Sequence, residues 1–244
     1  MKTDLYIIHG WTYKPEPWLD VIKSLKRHHI NAELLRVPGL GTKSDKVYSI
    51  SDYENWAKEN IPKGAIALGH SNGGRILLNL LRDEGSSYLS GLILLDSAGV
   101  YEPSKKRDLS RRLSKLFAPI KKIPLARKVV HKILGASDYD NAPENMKKTL
   151  SNMLDSDKSL DVTNLATETQ IIWGSDDQIT PLRQGEKLHA ALKNSKLRVK
   201  EGWRHSHYLV NIDELADEIA DAYFALRKGD KNGNYSRTSQ NHAK

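Results

Sequence analysis

One stretch, Ile66-Ala67-Leu68-Gly69-His70-Ser71-Asn72-Gly73-Gly74-Arg75-Ile76-Leu77-Leu78, limits what this chain can become, because apolar residues with two different periods meet at a single serine. Ala65 to Leu68 predicts a short buried strand bounded by Gly64 and Gly69, while Ile76, Leu77, Leu80 and Leu81 share one face of a helix. A chain that turns from strand to helix within so few residues forces the one at the apex into a crowded, positive-φ conformation. Glycines two positions away, Gly69 and Gly73, make that conformation tolerable. The hydroxyl of Ser71 is then presented outward, and the amides from Asn72 onward, lacking partners within the helix, can face a developing anion.

The rest of the chain repeats this strand-then-helix pattern. Strands are predicted at Asp4 to Ile8, Asn31 to Val37, Gly91 to Leu95, Gln170 to Trp173 and Lys196 to Lys200. Helices are predicted at Pro15 to Ile30, at Ser51 to Asn60 with Ser51 as N-cap and Glu54 three residues on, at Pro181 to Lys193 and at Asn211 to Arg227. The alternation implies a parallel sheet covered on both faces, an α/β doubly wound architecture whose ligands gather at the carboxyl ends of the strands.

Residues 101–165 interrupt the alternation. They hold no convincing strand, and helical apolar spacing appears at Leu109, Leu113, Leu116 and Phe117 and again at Val129, Val130, Ile133 and Leu134. This segment is expected to be a helical lid inserted between two parts of the core, 1–100 and 166–228, with 229–244 a disordered tail rich in Lys, Asn, Gly and Ser. At 244 residues there is room for one core and such an insertion.

Charge belongs to the insertion rather than to the core. Of the net +8, the window from Tyr101 to Lys132 alone supplies +9, from 11 Lys or Arg against Glu102 and Asp108; the remainder, 27 basic against 28 acidic, is −1. Basic residues opposite an apolar helix face are most often its solvated side, and a weak contact with an anionic surface through Arg111, Arg112, Lys121 and Lys122 is the minority reading. With only Tyr101 and Phe117 as aromatics in that window, stacking on nucleic acid is not expected. Only four apolar residues, Leu5 to Ile8, precede His9 and Gly10, too few for a signal peptide or a membrane span, so a cytoplasmic protein without stable membrane anchoring is expected. The absence of cysteine removes disulfides, thiolate ligands and a thiol nucleophile together, which leaves a serine to consider.

Two further loops follow predicted strand ends: Gly174-Ser175-Asp176-Asp177-Gln178-Ile179-Thr180-Pro181 and Gly202-Trp203-Arg204-His205-Ser206-His207. A serine hydroxyl is a weak nucleophile until an imidazole takes its proton, and the imidazole needs a carboxylate to hold its tautomer and stabilise its charged form. Both groups are available here, in the chain order serine, acid, histidine.

With these segments in place, residues 4 to 227 resemble the α/β-hydrolase superfamily, in its lidded, esterase-like branch. His9-Gly10-Trp11 is similar to the family's oxyanion loop and Pro38-Gly39-Leu40-Gly41 to its P-G-x-G turn, although Arg36 and Val37 stand where an acid is common. Gly69-His70-Ser71-Asn72-Gly73 resembles the nucleophile elbow, Gly174-x-x-Asp177-x-x-x-Pro181 the acid turn and Gly202-x-x-His205 the histidine turn. The resemblance implies Ser71 as nucleophile, Asp177 as acid and His205 as base, with Gly10, Trp11 and Asn72 forming the oxyanion and substrate-binding loop. Asp176 and Asp96 compete with Asp177, and His207 with His205, whereas His9 and His70 adjoin tight glycine turns and are expected to pack or to orient loops. The resemblance further implies a serine hydrolase cleaving a carboxylic ester of a small molecule, without cofactor or metal. The same triad serves acyl transfer, amide cleavage and C–C bond hydrolysis, and a silent hydrolase fold could simply hold a ligand. Oligomeric state is not legible.

Overall fold

A computed structural model of the chain describes residues 2–101 and 142–229. Its centre is a six-stranded sheet built from β1 (Leu5–Ile8), β2 (Ala32–Leu35), β3 (Ala65–His70), β4 (Leu89–Leu95), β5 (Thr169–Gly174) and β6 (Ser195–Lys200). The strands run in the order β2-β1-β3-β4-β5-β6, and every neighbouring pair is parallel. The helices are α1 (Trp18–Leu25), α2 (Ile50–Asn60), α3 (Asn72–Glu84), α4 (Glu144–Ser156), α5 (Leu182–Ala191) and α6 (Ile212–Gly229).

The continuous apolar runs of the strands become two cores through the period-2 alternation of a strand. Leu5 and Ile7, Ile66 and Leu68, Ile93 and Leu95, and Ile172 point to one face, where α1 and α6 cover them with Trp18, Val21, Leu215 and Ile219. Ile8, Ala67, Leu92, Leu94, Ile171 and Trp173 point to the other, against Tyr53 and Ala57 of α2, Ile76 and Leu77 of α3 and Leu188 of α5. The sheet is therefore doubly wound, as the strand and helix alternation predicts.

Two of the local boundaries that depart from expectation have a clear physical cause. The first helix does not fill 15–30: with prolines at 15 and 17 it starts only at Trp18, and a 3-10 turn over Lys26–His28 carries the chain to a left-handed His29. The second helix is capped two residues earlier than the Ser51 and Glu54 pairing. Ser49 is the N-cap, its Oγ accepting the Asp52 N–H at 3.1 Å while Asp52 Oδ2 accepts the Ser49 N–H at 2.8 Å. A shorter acid closes the same reciprocal box, and Glu54 turns inward instead, where only 5% of it is exposed.

Of the segment 101–165 expected to be an insertion, residues 101 and 142–165 are described, and they contain α4. Helix α4 sits on the loop before α2: Asn145 Nδ2 donates to the Ser44 carbonyl at 2.9 Å and Thr149 Oγ1 accepts the Tyr48 N–H at 2.9 Å. The rest of the expected lid, including Arg111, Arg112, Lys121 and Lys122, and the expected tail from 230 lie outside the described residues. Among the described residues no helix is long and apolar enough to cross a membrane, and no group of His, Asp and Glu could hold a metal ion.

Candidate active site

Five loops leave the sheet at the carboxyl ends of their strands: His9-Gly10-Trp11 after β1, Ser71 after β3, Asp96 after β4, Asp177 after β5 and His205 after β6. Parallel strands make this convergence unavoidable, since all of them end on the same rim.

Ser71 turns the chain from β3 into α3 at φ +53° and ψ −119°, a conformation that a side chain rarely adopts. Its backbone is held from several directions. The Ser71 N–H donates to the Leu95 carbonyl at 3.1 Å, and the Ser71 carbonyl accepts the N–H groups of Gly74 at 3.0 Å and Ala98 at 2.9 Å. The neighbouring glycines are required by close approach rather than by φ. A Cβ on Gly73 would run into the Ile8 carbonyl, and one on Gly69 would lie 2.5 Å from the Gly74 backbone. Gly10 is packed directly under the serine, where a Cβ would stand 2.9 Å from Ser71 Cβ. The His9-Gly10-Trp11 loop and the turn at Ser71 are thus in contact, and Asn72 opens α3 with an amide that has no acceptor within the helix.

His205 bridges the other two groups. Its Nδ1 lies 2.7 Å from Asp177 Oδ2 and its Nε2 2.9 Å from Ser71 Oγ. A carboxylate can only accept, so Nδ1 carries the hydrogen and Nε2 turns its lone pair to the serine hydroxyl. Asp177, 4% exposed, collects further donors: the N–H of Ile179 at 2.7 Å and of Thr180 at 3.0 Å on Oδ1, and the Thr180 hydroxyl at 2.7 Å on Oδ2. Burial opposes the charge of Asp177, but His205 and the Thr180 hydrogen bonds outweigh it and hold the carboxyl below its ordinary range. Burial likewise opposes protonation of His205, and here Asp177 outweighs it, raising the imidazole above its usual 6.5. Such a set can take a proton from the serine, hold it on the imidazole and return it to a leaving group.

The rival residues are placed elsewhere. Asp176 is exposed and accepts from the Ser175 hydroxyl at 3.1 Å. His207 stacks on the Trp203 ring with centroids 3.6 Å apart and stands 3.6 Å from Glu214. Asp96 is fully buried, and its Oδ1 accepts the Gly174 N–H at 2.8 Å.

The two histidines beside the glycine turns are neutral spacers. His70 Nε2 donates to the His205 carbonyl at 2.8 Å, and its ring packs against Trp18, Tyr208 and His205. Burial, with the neighbouring His205 adding to it, pushes its pKa down to about 3. His9 Nδ1 donates to the Gly10 carbonyl at 2.8 Å and Nε2 accepts the Val37 N–H at 3.2 Å, a pattern only the neutral ring can make; burial takes its pKa to about 4.

Two groups escaped the sequence analysis. Thr180 is buried against the acid, and the Asp177-x-x-Thr180 spacing was its one signal. Arg75, 3% exposed on α3, clamps Asp157 just beyond α4 with Nε at 2.7 Å and Nη2 at 2.8 Å, and its Nη1 reaches the side-chain oxygen of Asn72. An arginine in an otherwise apolar helix face marks such a partner, but nothing in the sequence says that it comes from 82 residues away.

The alpha/beta hydrolase family model matches residues 5–222, nearly the whole described chain. The chain belongs to the alpha/beta hydrolase family. Among solved structures, a bromoperoxidase from Bacillus anthracis aligns at a TM-score of 0.67 and 16% identity, over 93% of this chain and 92% of that one. A thermophilic esterase from Thermogutta terrifontis aligns at 0.65 and 15%, over 93% and 91%, and a monoacylglycerol lipase from Paleococcus ferrophilus at 0.64 and 14%, over 91% and 94%. At these identities the likeness to this hydrolase is one of fold. A search of the curated proteins finds no match.

Proposed function

We infer that this alpha/beta hydrolase is a serine hydrolase that cleaves a carboxylic ester of a small molecule through an acyl-enzyme on Ser71. The observation carrying the reading is the continuous line from Asp177 Oδ2 through His205 to Ser71 Oγ, with contacts of 2.7 and 2.9 Å. In this reading His205 Nε2 takes the hydroxyl proton as Ser71 Oγ bonds to the ester carbonyl carbon. The carbonyl oxygen becomes an oxyanion facing the amides of Trp11 and Asn72. Collapse breaks the C–O bond, and the leaving alcohol takes the proton from His205. Water repeats the sequence, freeing the acid and restoring Ser71. Each oxyanion amide in such sites is worth roughly 3 to 4 kcal/mol. The esterase and lipase among the structural neighbours support an ester as the substrate class.

The test is labelling by a fluorophosphonate together with hydrolysis of short p-nitrophenyl esters. Ser71 is expected to take the label, and Ser71→Ala to lose both labelling and at least about 10⁴-fold in turnover. Wild-type turnover in Ser71→Ala would refute the assignment. Amides, C–C substrates and added acyl acceptors, run against the same variant, separate ester hydrolysis from the other reactions that this triad can perform.

A further inference from the structure

A second carboxyl group lies behind the first. Asp96 follows β4 as Asp177 follows β5, and these strands are neighbours in the sheet. Asp96 is 0% exposed and adopts φ +42°, unusual for a residue with a side chain. Its backbone N–H donates to the Ile172 carbonyl at 3.0 Å. Its carboxyl is served unevenly: Oδ1 accepts the Gly174 N–H, while Oδ2 is buried with no donor directed at it, and Thr180 Oγ1, 3.0 Å from the Asp96 carbonyl oxygen and 2.7 Å from Asp177 Oδ2, sets the two acids side by side.

Two buried carboxyls that close cannot both be charged, because each charge raises the cost of the other in a medium that screens poorly. The donors decide which keeps its charge. Asp177 has the imidazole N–H, two backbone N–H groups and a hydroxyl; Asp96 has one backbone N–H.

We propose that Asp96 holds the shared proton and donates it from Oδ2 to the Asp177 carboxylate, acting as a positioning residue that fixes the orientation of the triad acid toward His205. The proposal rests on the reading of Asp177 as the acid of the triad. It explains why a buried carboxyl oxygen with no donor is tolerated beside the site: once protonated, it is itself the donor. Burial and the Asp177 charge both drive Asp96 well above the ordinary carboxylate range, against the weaker pull of His205 and the Gly174 N–H. The other titratable ring at this point, His70, is held neutral and adds no charge.

Infrared spectroscopy of the full chain carrying carboxyl-labelled aspartate tests this directly. At pH 7 a carboxylic-acid carbonyl band from labelled aspartate is expected in wild type and in Ser71→Ala and is expected to be missing in Asp96→Asn. Glutamate is unlabelled, so Glu54, which burial raises to about 7, does not interfere. The wild-type spectrum alone already decides whether any labelled aspartate is protonated, should a variant fail to fold, and ionised aspartate only would overturn the proposal. Asp96→Ala should lower kcat/KM roughly 10- to 100-fold, and Asp96→Asn, whose amide can still donate to Asp177 and accept from Gly174, should recover most of it. The acidic limb of the pH profile should stay in place in Asp96→Asn. A limb displaced to lower pH would mean that a negative charge had been removed from beside His205, and the proposal would fall. A band without ester turnover sinks the proposed function and leaves this inference standing, whereas turnover without the band does the reverse.

Discussion

At the scale of single residues, the chemistry rests on an imidazole placed between an alcohol and an acid. Because Asp177 raises His205, and the ring must be neutral to accept the serine proton, activity should increase with pH through a midpoint above the ordinary histidine value of about 6.5. A profile of log kcat/KM against pH checks this, and Asp177→Asn should depress the plateau by about 10³- to 10⁴-fold by removing the group that holds the tautomer. Gly73 sets a second residue-scale constraint. Gly73→Ala places a methyl group against the Ile8 carbonyl, so either the elbow or β1 must shift, and we expect roughly 2 kcal/mol or more lost in urea unfolding together with fluorophosphonate labelling. The sequence exposes this constraint only as a glycine two places after a serine; that the obstacle is the backbone of β1 follows from strand pairing.

Between elements, the most consequential contact is the ion pair of Arg75 on α3 with Asp157 beyond α4, whose side chains are 4% and 7% exposed. It ties the segment just beyond α4 to the helix that begins at the serine. Arg75→Met leaves a buried carboxylate without its partner and should cost about 3 to 5 kcal/mol, whereas Arg75→Met with Asp157→Leu should recover much of that loss. Chemical denaturation of both variants and of wild type measures the difference. The same arginine meets the Asn72 side chain, so the single variant should also weaken catalysis if the Asn72 amide holds the oxyanion.

For the molecule as a whole, buried titratable groups set the pH range of stability from opposite sides. His9 and His70 have native pKa values of about 4 and 3, below the unfolded 6.5, so the unfolded chain binds protons first. Their contribution is complete above pH 6.5 and is lost as pH falls toward those values, by roughly 3 kcal/mol for His9 at pH 4. Glu54 acts in the reverse sense. Burial, with the Asp83 charge beside it, raises it from 4.5 to about 7, while Arg82 approaches no closer than 3.5 Å. Its contribution is full below 4.5 and lost as pH rises through 7, so Glu54→Gln should stabilise the protein by about 1 to 2 kcal/mol at pH 8 and not at pH 5. Urea midpoints measured across pH 4 to 8 on wild type and this variant test both slopes.

What the sequence alone determined is the sheet and its working rim. Apolar runs of strand length alternating with amphipathic helices leave a doubly wound parallel sheet as the way to bury both faces, and the turn chemistry at Gly69 to Gly73 marks where the chain must be strained. That information is local, carried by period and by glycine, and it was enough to mark the loops that hold Ser71, Asp177 and His205, while the preference for Asp177 and His205 over their neighbours came from the family resemblance. Contacts between distant segments were decided only by tertiary structure. Asp176 and Asp177 are one residue apart in the chain, yet one faces solvent and the other the imidazole. His205 and His207 part in the same way, one toward Ser71 and one onto Trp203. The Gly174 N–H that meets the Asp96 carboxyl and the carboxylate that meets Arg75 come from 78 and 82 residues away. No propensity encodes such pairings, because their energy depends on burial and on which donors share the space, and both exist only once the strands have brought their ends together.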